Sequence, residues 1–546
     1  MEYLTNIVGD KYKLWEAGNL VFLFSGTGSG KTTISLKKVA WSYLEQGKTV
    51  LYLVPRIILK QQIDKDMRLI QSKNPSISAE YNKNFTVWTY QYLENLLLKN
   101  GNIKEFDLII CDEFHYFLVD STFNANTQIS YDFIFKETYG LKLFLSATPQ
   151  GIMDYIKTDD ILSMPLEGKE NFKLRGEILR GNKKPYTHEL PKNYDYLNIK
   201  YLSKDEEITE IVKNSKGKTV IFISSKESGE KLKKNLEENN IECIFITAGN
   251  KETEAKENVE ELVYTNSFSK KVLITTSVLD VGVNLLDTEI ENMIIAANEP
   301  VEFLQMLGRF RVIQEGQEVS LYIYARDARY FQNLRDKQIE PKIICCEYLE
   351  NLPDLNRIKE LELIPENNLP EGYNDFLYFD ILNNKTSFNK LAAYRFRQLY
   401  DLYNEIYNGL KEDKDFFIKK QLEWLNLNDT FELKNYYSTE IQKNRIQELE
   451  EAIKEEVRKN KDGMFKDDIE KVMLRLKPLV RSIDNNNIKN DEQLSNKKFN
   501  RICKIYDIPY CIGQRQEKSG KERRNKYYLT HKNDDIIKAG NLEIPL

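Results

Sequence analysis

The sequence predicts an α/β protein with two tandem, doubly wound parallel-sheet domains and a mostly helical C-terminal region. Short continuous apolar runs are typical of strands buried on both faces, and the amphipathic stretches between them are typical of crossover helices. The length of 546 residues and the hydrophobic content of 41% are enough for several cores. A glycine-rich loop directly after the first apolar run places a ligand site in the first domain.

The glycine-rich loop reads SGTGSGKT at residues 25–32, between the apolar run 20–24 and a helical stretch. A strand, a glycine loop and a helix start form the arrangement that cradles nucleotide phosphates on backbone N–H groups. Lys31 is expected to reach the β- and γ-phosphates, and the Thr32 hydroxyl to hold Mg²⁺. A strict loop of this kind begins with glycine, where this chain has Ser25. The alternative is a glycine turn before an ordinary helix. The predicted ATP-binding residues of the loop are Ser25, Gly26, Thr27, Gly28, Ser29, Gly30, Lys31, Thr32 and Thr33.

A pair of acids follows a second apolar run in the segment FDLIICDEFH at 106–115. Because open α/β sheets bind ligands at the carboxyl ends of their strands, Asp112 and Glu113 are expected at the same site as the loop. Asp112 is predicted to hold the magnesium, and Glu113 to orient and deprotonate the attacking water. Without the loop, such a pair would more often be a polar loop start.

Hydroxyl residues end a third apolar run, which reads LFLSAT at 143–148. Ser146 and Thr148, together with His115, are predicted to couple the nucleotide site to a neighbouring domain. The alternative is a Ser/Thr turn at the strand end.

The order of SGTGSGKT, DEFH and LSATP resembles the first motor domain of superfamily 2 helicases of the DExH type. Three later segments resemble the second motor domain: KTVIFISSKESGEKLKKNL at 218–236, VLITTSVLDVGVNL at 272–285 and QMLGRFR at 305–311. The pattern is especially similar to viral DExH helicases of the flavivirus type, and it covers about residues 15–330. The resemblance implies two RecA-like domains with ATP and Mg²⁺ in the cleft between them, and a single strand of nucleic acid as partner.

The resemblance also assigns roles in the second domain. Gln305 is expected to position water or the γ-phosphate, and Arg309 to neutralise charge on the transferring phosphoryl group. The family usually has a further arginine where this chain has Val312. Either Arg311 replaces it or Arg309 works alone, and we favour the first. The fifth motif adds two expected nucleotide contacts, Asp280 and Gly282.

A set of nucleic-acid contacts follows from the same resemblance. Pro55 blocks continuation of a predicted strand, and Arg56 offers a phosphate donor after it. Thr89 and Tyr90 stand at a predicted helix start, where backbone amides suit a phosphate. An N-cap and a core tyrosine are the alternative there. The second domain adds two strand-end residues, Ser224 and Thr275.

The C-terminal segment 497–532 is strongly basic, with eleven Lys or Arg against three Asp or Glu. Its pattern predicts a helix followed by a strand, a basic turn and a second strand, which is the end of a winged-helix module. The alternative is a disordered basic surface. The basic turn and its flanks are predicted to grip nucleic-acid phosphates through residues that include Arg515, Lys518, Arg523 and Arg524.

The predicted domains are residues 1–150 for the first sheet, 151–194 for a connector and 195–330 for the second sheet. A helical accessory region at 331–480, which is a candidate protein-partner surface, and a basic region at 481–546 complete the chain. The net charge of −5 means that any nucleic-acid surface must be local. The six cysteines show no Cys-x-x-Cys pattern and are expected to be free thiols. No apolar run reaches the length of about 18 residues that a membrane span needs, so a cytoplasmic protein is expected.

These patterns predict an ATP-dependent helicase or translocase, with DNA slightly favoured over RNA as its track. Two alternatives remain open. One is an ATP-driven remodeller that does not unwind, and the other is a nucleic-acid-binding subunit that uses ATP as a clamp.

Overall fold

A computed structural model describes residues 3–26, 28–72, 83–100, 103–159, 185–247, 261–262, 264–276, 284–314, 316–358, 369–380, 384–483, 493–519, 522–532 and 544. The chain divides into two compact units, Met1–Phe431 and Glu432–Leu546. The first unit contains two parallel sheets and a helical region. The second contains helices and a long hairpin.

The first sheet confirms the predicted parallel, doubly wound arrangement. Among the described residues it has six strands in the order β3-β2-β4-β5-β1-β6, all parallel. Along β1, Leu20, Phe22 and Phe24 pack into the core on one face, and Val21 and Leu23 pack into the core on the other face. Burial on both faces explains the continuous apolar run. The strands are β1 Leu20–Ser25, β2 Val50–Val54, β3 Phe85–Thr89, β4 Leu108–Asp112, β5 Leu141–Ser146 and β6 Tyr186–Leu190.

The second sheet repeats this plan. Its described strands are again six and parallel, in the order β7-β12-β11-β8-β10-β9. The strand order reverses direction beside β8, and crevices at such switch points are where open α/β sheets bind ligands. The strands are β7 Leu197–Leu202, β8 Lys218–Phe222, β9 Cys243–Ile246, β10 Val272–Thr275, β11 Ile290–Ile295 and β12 Val319–Tyr324.

Helices connect the strands and cover both sheets. In the first domain they are α1 Leu4–Val8, α2 Lys31–Ile34, α3 Trp41–Glu45, α4 Ile57–Ser72, α5 Tyr90–Asn100, α6 Tyr116–Val119, α7 Thr127–Asp132 and α8 Gln150–Thr158. The second sheet carries α9 Glu206–Asn214, α10 Lys226–Glu238 and α11 Pro300–Leu307. Beyond it follow α12 Ala328–Asn333, α13 Glu340–Asn351, α14 Lys390–Glu412 and α15 Phe416–Trp424, with a short hairpin of β13 Leu377–Asp380 and β14 Lys385–Phe388.

Helix α14 contacts both sheet domains. At its N-terminus the Asn389 side chain donates to the carbonyl oxygen of Ala125 at 3.0 Å and to Thr127 Oγ1 at 2.9 Å, both in the first domain. One turn further on, Arg395 pairs with Glu299 at the start of α11, at 2.8 Å. The aromatic and aliphatic residues of this helix pack into a core. The helix therefore ties the two sheet domains together through polar contacts at its first two turns.

The second unit has the order of elements of the predicted winged helix. Helices α16 Tyr437–Lys459, α17 Lys466–Ile483 and α18 Asn496–Ile505 precede a hairpin of β15 Tyr510–Ser519 and β16 Glu522–His531. Met464, between the first two helices, forms an antiparallel bridge with Tyr527 of the hairpin.

Two elements lie inside the segment 151–194 that the sequence marks as a connector. Most of α8 falls in it and packs Ile152 and Ile156 into the first core, and β6 pairs with β1 at the edge of the first sheet. The predicted domain boundaries otherwise stay predictions. All six cysteines are free, as expected. Within the described part of the chain, no helix is both long enough and apolar enough to cross a bilayer.

Candidate active site

The glycine loop connects the end of β1 to the start of α2. Gly28 and Gly30 have φ angles of +79° and +93°, in the left-handed region that an L side chain rarely adopts, so the turn requires glycine at both positions. Ser29 Oγ lies 2.6 Å from Ser25 Oγ and 2.6 Å from the carbonyl oxygen of Gly26. Ser25, which stands where a strict phosphate loop has glycine, is therefore tied into the loop through its hydroxyl.

Lys31 is buried at the first turn of α2 and reaches back along the loop. Its Nζ donates to the carbonyl oxygens of Ser25 at 2.6 Å and of Gly26 at 3.1 Å. Burial lowers the pKa of Lys31, while the carboxylates of Glu113 and Asp112 act in the opposite direction. The ammonium group thus lies between the loop and the predicted pair of acids.

Asp112 is the last residue of β4, and two donors hold its carboxylate. The Tyr52 hydroxyl donates to Oδ2 at 3.3 Å, and the N–H of Glu113 donates to Oδ1 at 3.1 Å. Burial and then the neighbouring Glu113 carboxylate raise the pKa of Asp112 to about 7. Burial also acts to raise the pKa of Glu113, but nearby positive charges, first that of Lys31 and then those of Arg309 and Arg311, outweigh it and hold this pKa below its ordinary value. Glu113 therefore keeps its negative charge within the pair.

The backbone of Glu113 is strained. Its φ of +48° is in the left-handed region, which costs a non-glycine residue about 1 kcal/mol or more. Glu113 Oε2 is buried without a hydrogen bond to any described residue, and it lies 3.4 Å from His115 Nδ1. Backbone strain of this kind is concentrated at functional sites, and here it accompanies a charged carboxylate oxygen that accepts no hydrogen bond from a described residue.

His115 joins the end of β5 to the second sheet domain. Its Nδ1 lies 3.0 Å from Ser146 Oγ and 3.5 Å from Thr148 Oγ1, and Ser146 Oγ accepts the N–H of Thr148 at 2.9 Å. On its other side, Nε2 accepts a hydrogen bond from Nε2 of Gln305, on α11. An amide nitrogen only donates, so the histidine is neutral with its proton on Nδ1. Burial also lowers the pKa of His115. The structure thus brings the three predicted coupling residues together.

Two arginines after α11 reach the same site. Arg309 is buried, and its charge acts on both Lys31 and Glu113. Arg311 donates to Asn284 Oδ1 from Nε at 3.0 Å and from Nη2 at 2.7 Å. A Cβ atom added to Gly28 would lie 3.2 Å from Arg311 Nη1, so this guanidinium rests on the glycine loop. Both arginines therefore face the loop from the second sheet domain.

The donors for a magnesium ion are present at the loop. Thr32 is partly exposed at the start of α2, and Asp112 ends β4, so each can offer an oxygen. In the part of the chain that the structure describes, no group of three or more His, Cys, Asp or Glu is placed to hold a metal ion alone. Magnesium commonly takes only one or two protein oxygens and completes its shell with water and phosphate oxygens, so these residues fit it.

The residues of the sheet domains that are predicted to contact nucleic acid differ in their exposure and in their hydrogen-bond partners. Arg56 donates to Asp120 at 2.5 Å, and both line a cavity of about 330 Å³ with Glu299, Glu302 and Arg395. Pro55 is buried beside Arg56, Thr89 Oγ1 accepts the N–H of Tyr92 as an N-cap, and Ser224 is exposed.

Tyr90 and Thr275 correct the prediction. Tyr90 is fully buried, stacks on Tyr116 and donates to the backbone oxygen of Asp112 at 3.0 Å. Thr275 is also fully buried, and its hydroxyl donates to the carbonyl oxygen of Thr276 at 2.9 Å. Side chains in the core cannot touch a nucleic-acid backbone, so the expected contacts are wrong for both residues.

Two family models match the chain, one on each sheet domain. Residues 6–151 match the model described as "Type III restriction enzyme, res subunit", and residues 203–312 match the "Helicase conserved C-terminal domain". Together these matches support a superfamily 2 helicase. Such domains imply a nucleic-acid-stimulated ATPase activity. No curated protein matches the chain.

Solved structures also match the chain, at low identity. S. cerevisiae Dbp5 bound to RNA and ADP BeF3 is 17% identical with a TM-score of 0.40, over 58% of this chain and 81% of that chain. Mycobacterium smegmatis helicase Lhr bound to ssDNA and AMP-PNP is 16% identical with a TM-score of 0.38, over 61% of this chain and 49% of that chain. Likenesses at this level carry no argument about substrate or mechanism.

The basic hairpin of the second unit contains an acid at its centre. Arg515 and the Tyr528 hydroxyl both donate to Glu517, and Lys526 Nζ lies 3.3 Å from the same carboxylate. These hydrogen bonds, first that of Tyr528, lower the pKa of Glu517 to about 2. Arg524 is exposed on β16. For Lys518 and Arg523 only the backbone is described, and the two residues pair across the hairpin.

Three expected nucleotide contacts, Thr27, Asp280 and Gly282, lie outside the described residues. Sequence reasoning missed Asn284, which holds Arg311, and Lys192, which lies over the loop. Lys192 follows β6 in a segment rich in charge, glycine and proline, and that composition indicates a linker rather than a site. No sequence signal marked the edge strand that ends beside the glycine loop, because YTHEL carries no apolar run.

Proposed function

We propose that the chain is a DExH-type helicase or translocase that is driven by ATP and moves along a nucleic-acid strand. DNA is slightly favoured over RNA as that strand. The observation that carries the proposal is that one site is built from both sheet domains. The loop and acids of the first domain face Gln305, Arg309 and Arg311 of the second. A single nucleotide there would be enclosed from both sides, so its hydrolysis would release the two domains from each other. We also propose that, among DExH helicases, the chain is most similar to those of the flavivirus type.

The loop residues would bind the triphosphate. Backbone N–H groups of the loop, together with Lys31, would hold the phosphates, and Thr32 and Asp112 would hold Mg²⁺. When bound, Mg²⁺ would neutralise charge on the β- and γ-phosphates. Asp112 is held by Tyr52 and the Glu113 N–H, and these two hydrogen bonds fix the orientation of its carboxylate. Thr27, Thr33, Asp280 and Gly282 are proposed as further contacts to the nucleotide.

Glu113 is the proposed general base. It is charged, and its Oε2 accepts no hydrogen bond from a described residue, so it is ready to accept a proton from water. Arg309 and Arg311 stabilise charge on the transferring phosphoryl group, and Gln305 is held by His115. His115, Ser146 and Thr148 then transmit the state of the site between the two domains.

The nucleic-acid track is proposed to involve Arg56, Pro55, Thr89 and Ser224 in the sheet domains. In the second unit, nucleic-acid contacts are proposed for Arg515, Lys518, Arg523 and Arg524. The exposed position of Arg524 and the basic composition of the hairpin support the second group. Residues 331–480 remain a proposed surface for a protein partner.

ATP hydrolysis measured with single- and double-stranded DNA and RNA over a salt series tests the proposal. We expect stimulation by nucleic acid, stronger with DNA, and strand separation in a gel assay. The variant Glu113→Gln should keep ATP binding and lose hydrolysis by a factor of about 10² to 10⁴. Glu105→Gln, an exposed glutamate before β4, is the matched control. Stimulated hydrolysis without strand separation would indicate a remodeller instead. An active Glu113→Gln variant would contradict the assigned base.

A further inference from the structure

Lys192 lies at the glycine loop because of the way β6 pairs with β1. The two strands are parallel, and Leu190 at the end of β6 lies opposite Ser25 at the end of β1. The chain then continues for two residues to Lys192. A Cβ atom added to Gly26 would lie 3.4 Å from Lys192 Cγ, so the lysine side chain crosses the first glycine of the loop.

The charges around Lys192 are those of the nucleotide site. Burial, followed by the charge of Lys31, lowers the pKa of Lys192 to about 8, and Glu113 and Glu189 act in the opposite direction. Glu113 is the proposed base, and Lys31 the proposed phosphate ligand. The Lys192 ammonium group therefore interacts electrostatically with Lys31 and Glu113, the residues expected at the terminal phosphate.

The loop region carries more positive than negative groups. Lys31, Lys192, Arg309 and Arg311 surround the loop, while the acids there are Glu113 and Asp112, together with Glu189 beside Lys192. Lys31 and Arg309 are buried and the other two cations are half-buried, and such an excess of positive charge is costly unless an anion compensates it. A triphosphate is an anion of the required charge.

We infer that Lys192 is a further ligand of the terminal phosphate, delivered to the loop by the edge strand β6. This inference rests on the proposed function. It adds a connection that the loop alone lacks, because Lys192 lies on the segment between β6 of the first sheet and β7 of the second. A bond from Lys192 to the γ-phosphate would hold this crossing segment in place, and phosphate release would free it.

The test compares Lys192→Met and Lys192→Arg with wild type in equilibrium binding of AMP-PNP and ADP. Lys204→Met, an exposed lysine beyond β7, is the matched control. We expect Lys192→Met to weaken AMP-PNP about tenfold and ADP less than about twofold, and Lys192→Arg to restore most of the difference. The control variant should match wild type for both ligands.

A pH series supplies a second readout that a structural role would not change. Since the Lys192 pKa is about 8, wild-type affinity for AMP-PNP should fall as pH rises from 7 to 9. This fall should be smaller in both Lys192→Met and Lys192→Arg. Equal losses for ADP and AMP-PNP, or wild-type binding by Lys192→Met, would overturn the inference and leave the proposed function standing. Failure of wild type to bind either nucleotide would instead reject the proposed function.

Discussion

His115 Nε2 accepts a hydrogen bond from the side-chain amide of Gln305, and this bond joins the two sheet domains at the end of β5. The imidazole holds Ser146 on its other nitrogen at 3.0 Å. The neutral ring thus connects a strand end in the first domain to α11 in the second. Any movement that separates the domains at this point must break the amide–imidazole bond.

A double-mutant cycle on His115→Ala and Gln305→Ala tests whether the pair acts as a unit. Because either substitution removes the same bond, each should lower nucleic-acid-stimulated hydrolysis about tenfold, and the double variant should lose little more. The measurement is the stimulated kcat of the four proteins. Multiplicative losses would show that the two side chains act independently.

Arg309→Ala and Arg311→Ala distinguish the two assignments of the second-domain arginines. Both guanidinium groups face the loop, so we expect losses in kcat of about 10³ for Arg309→Ala and at least about tenfold for Arg311→Ala. Arg329→Ala, an exposed arginine on α12, is the control. A wild-type rate for Arg311→Ala would mean that Arg309 works alone.

Glu302 on α11 makes the folded first unit sensitive to pH. Burial and then the Glu299 carboxylate raise the pKa of Glu302 to about 8, with Arg395 opposing them, and Tyr403 of α14 lines the same cavity. The unfolded chain releases this proton near pH 4.3, so between the two values the unfolded state binds fewer protons. The stabilising contribution of neutral Glu302 is therefore complete below about pH 4.3 and is lost as pH rises to about 8.

The matching experiment is thermal unfolding of wild type and Glu302→Gln from pH 5 to 9. The variant cannot ionise at this position, so its Tm should exceed that of wild type by at least about 2 °C at pH 8, with a smaller difference at pH 5. Glu206→Gln, at an exposed position on α9, is the control. A Tm difference that does not change with pH would contradict the assignment.

The hairpin of the second unit should bind nucleic acid more tightly when its acid is neutralised. Glu517 engages Arg515, Lys526 and the Tyr528 hydroxyl, so Glu517→Gln would free these cations for phosphates. We expect a several-fold gain in affinity and a steeper dependence of log K on log salt. Deletion of residues 513–526 should flatten that dependence. An unchanged salt slope in the deletion would remove the hairpin from the nucleic-acid surface.

Much of the fold could be predicted because buried parallel strands leave a local signature. The runs at 20–24, 108–111, 243–246, 272–275 and 319–324 all lie within strands of the two sheets. Strand β6 was missed because most of its residues are exposed at a sheet edge, and YTHEL carries no apolar run. Tyr90 was misassigned because helix starts and core positions use the same residue types, and only packing against Tyr116 distinguishes them.

The chain itself determined which chemistry is available. It supplies glycines where the loop needs left-handed backbone, a lysine and a threonine at the next helix start, and two acids after a buried strand, because these requirements act over a few neighbouring residues. Tertiary structure alone decided which distant groups meet that loop. Three contacts depend on strand order and on the placement of helices between the two sheets: that of Arg311 with Gly28, that of Gln305 with His115 and that of Lys192 with Gly26. Contacts over such sequence separations arise from the packing of whole elements, and no short stretch of residues records them.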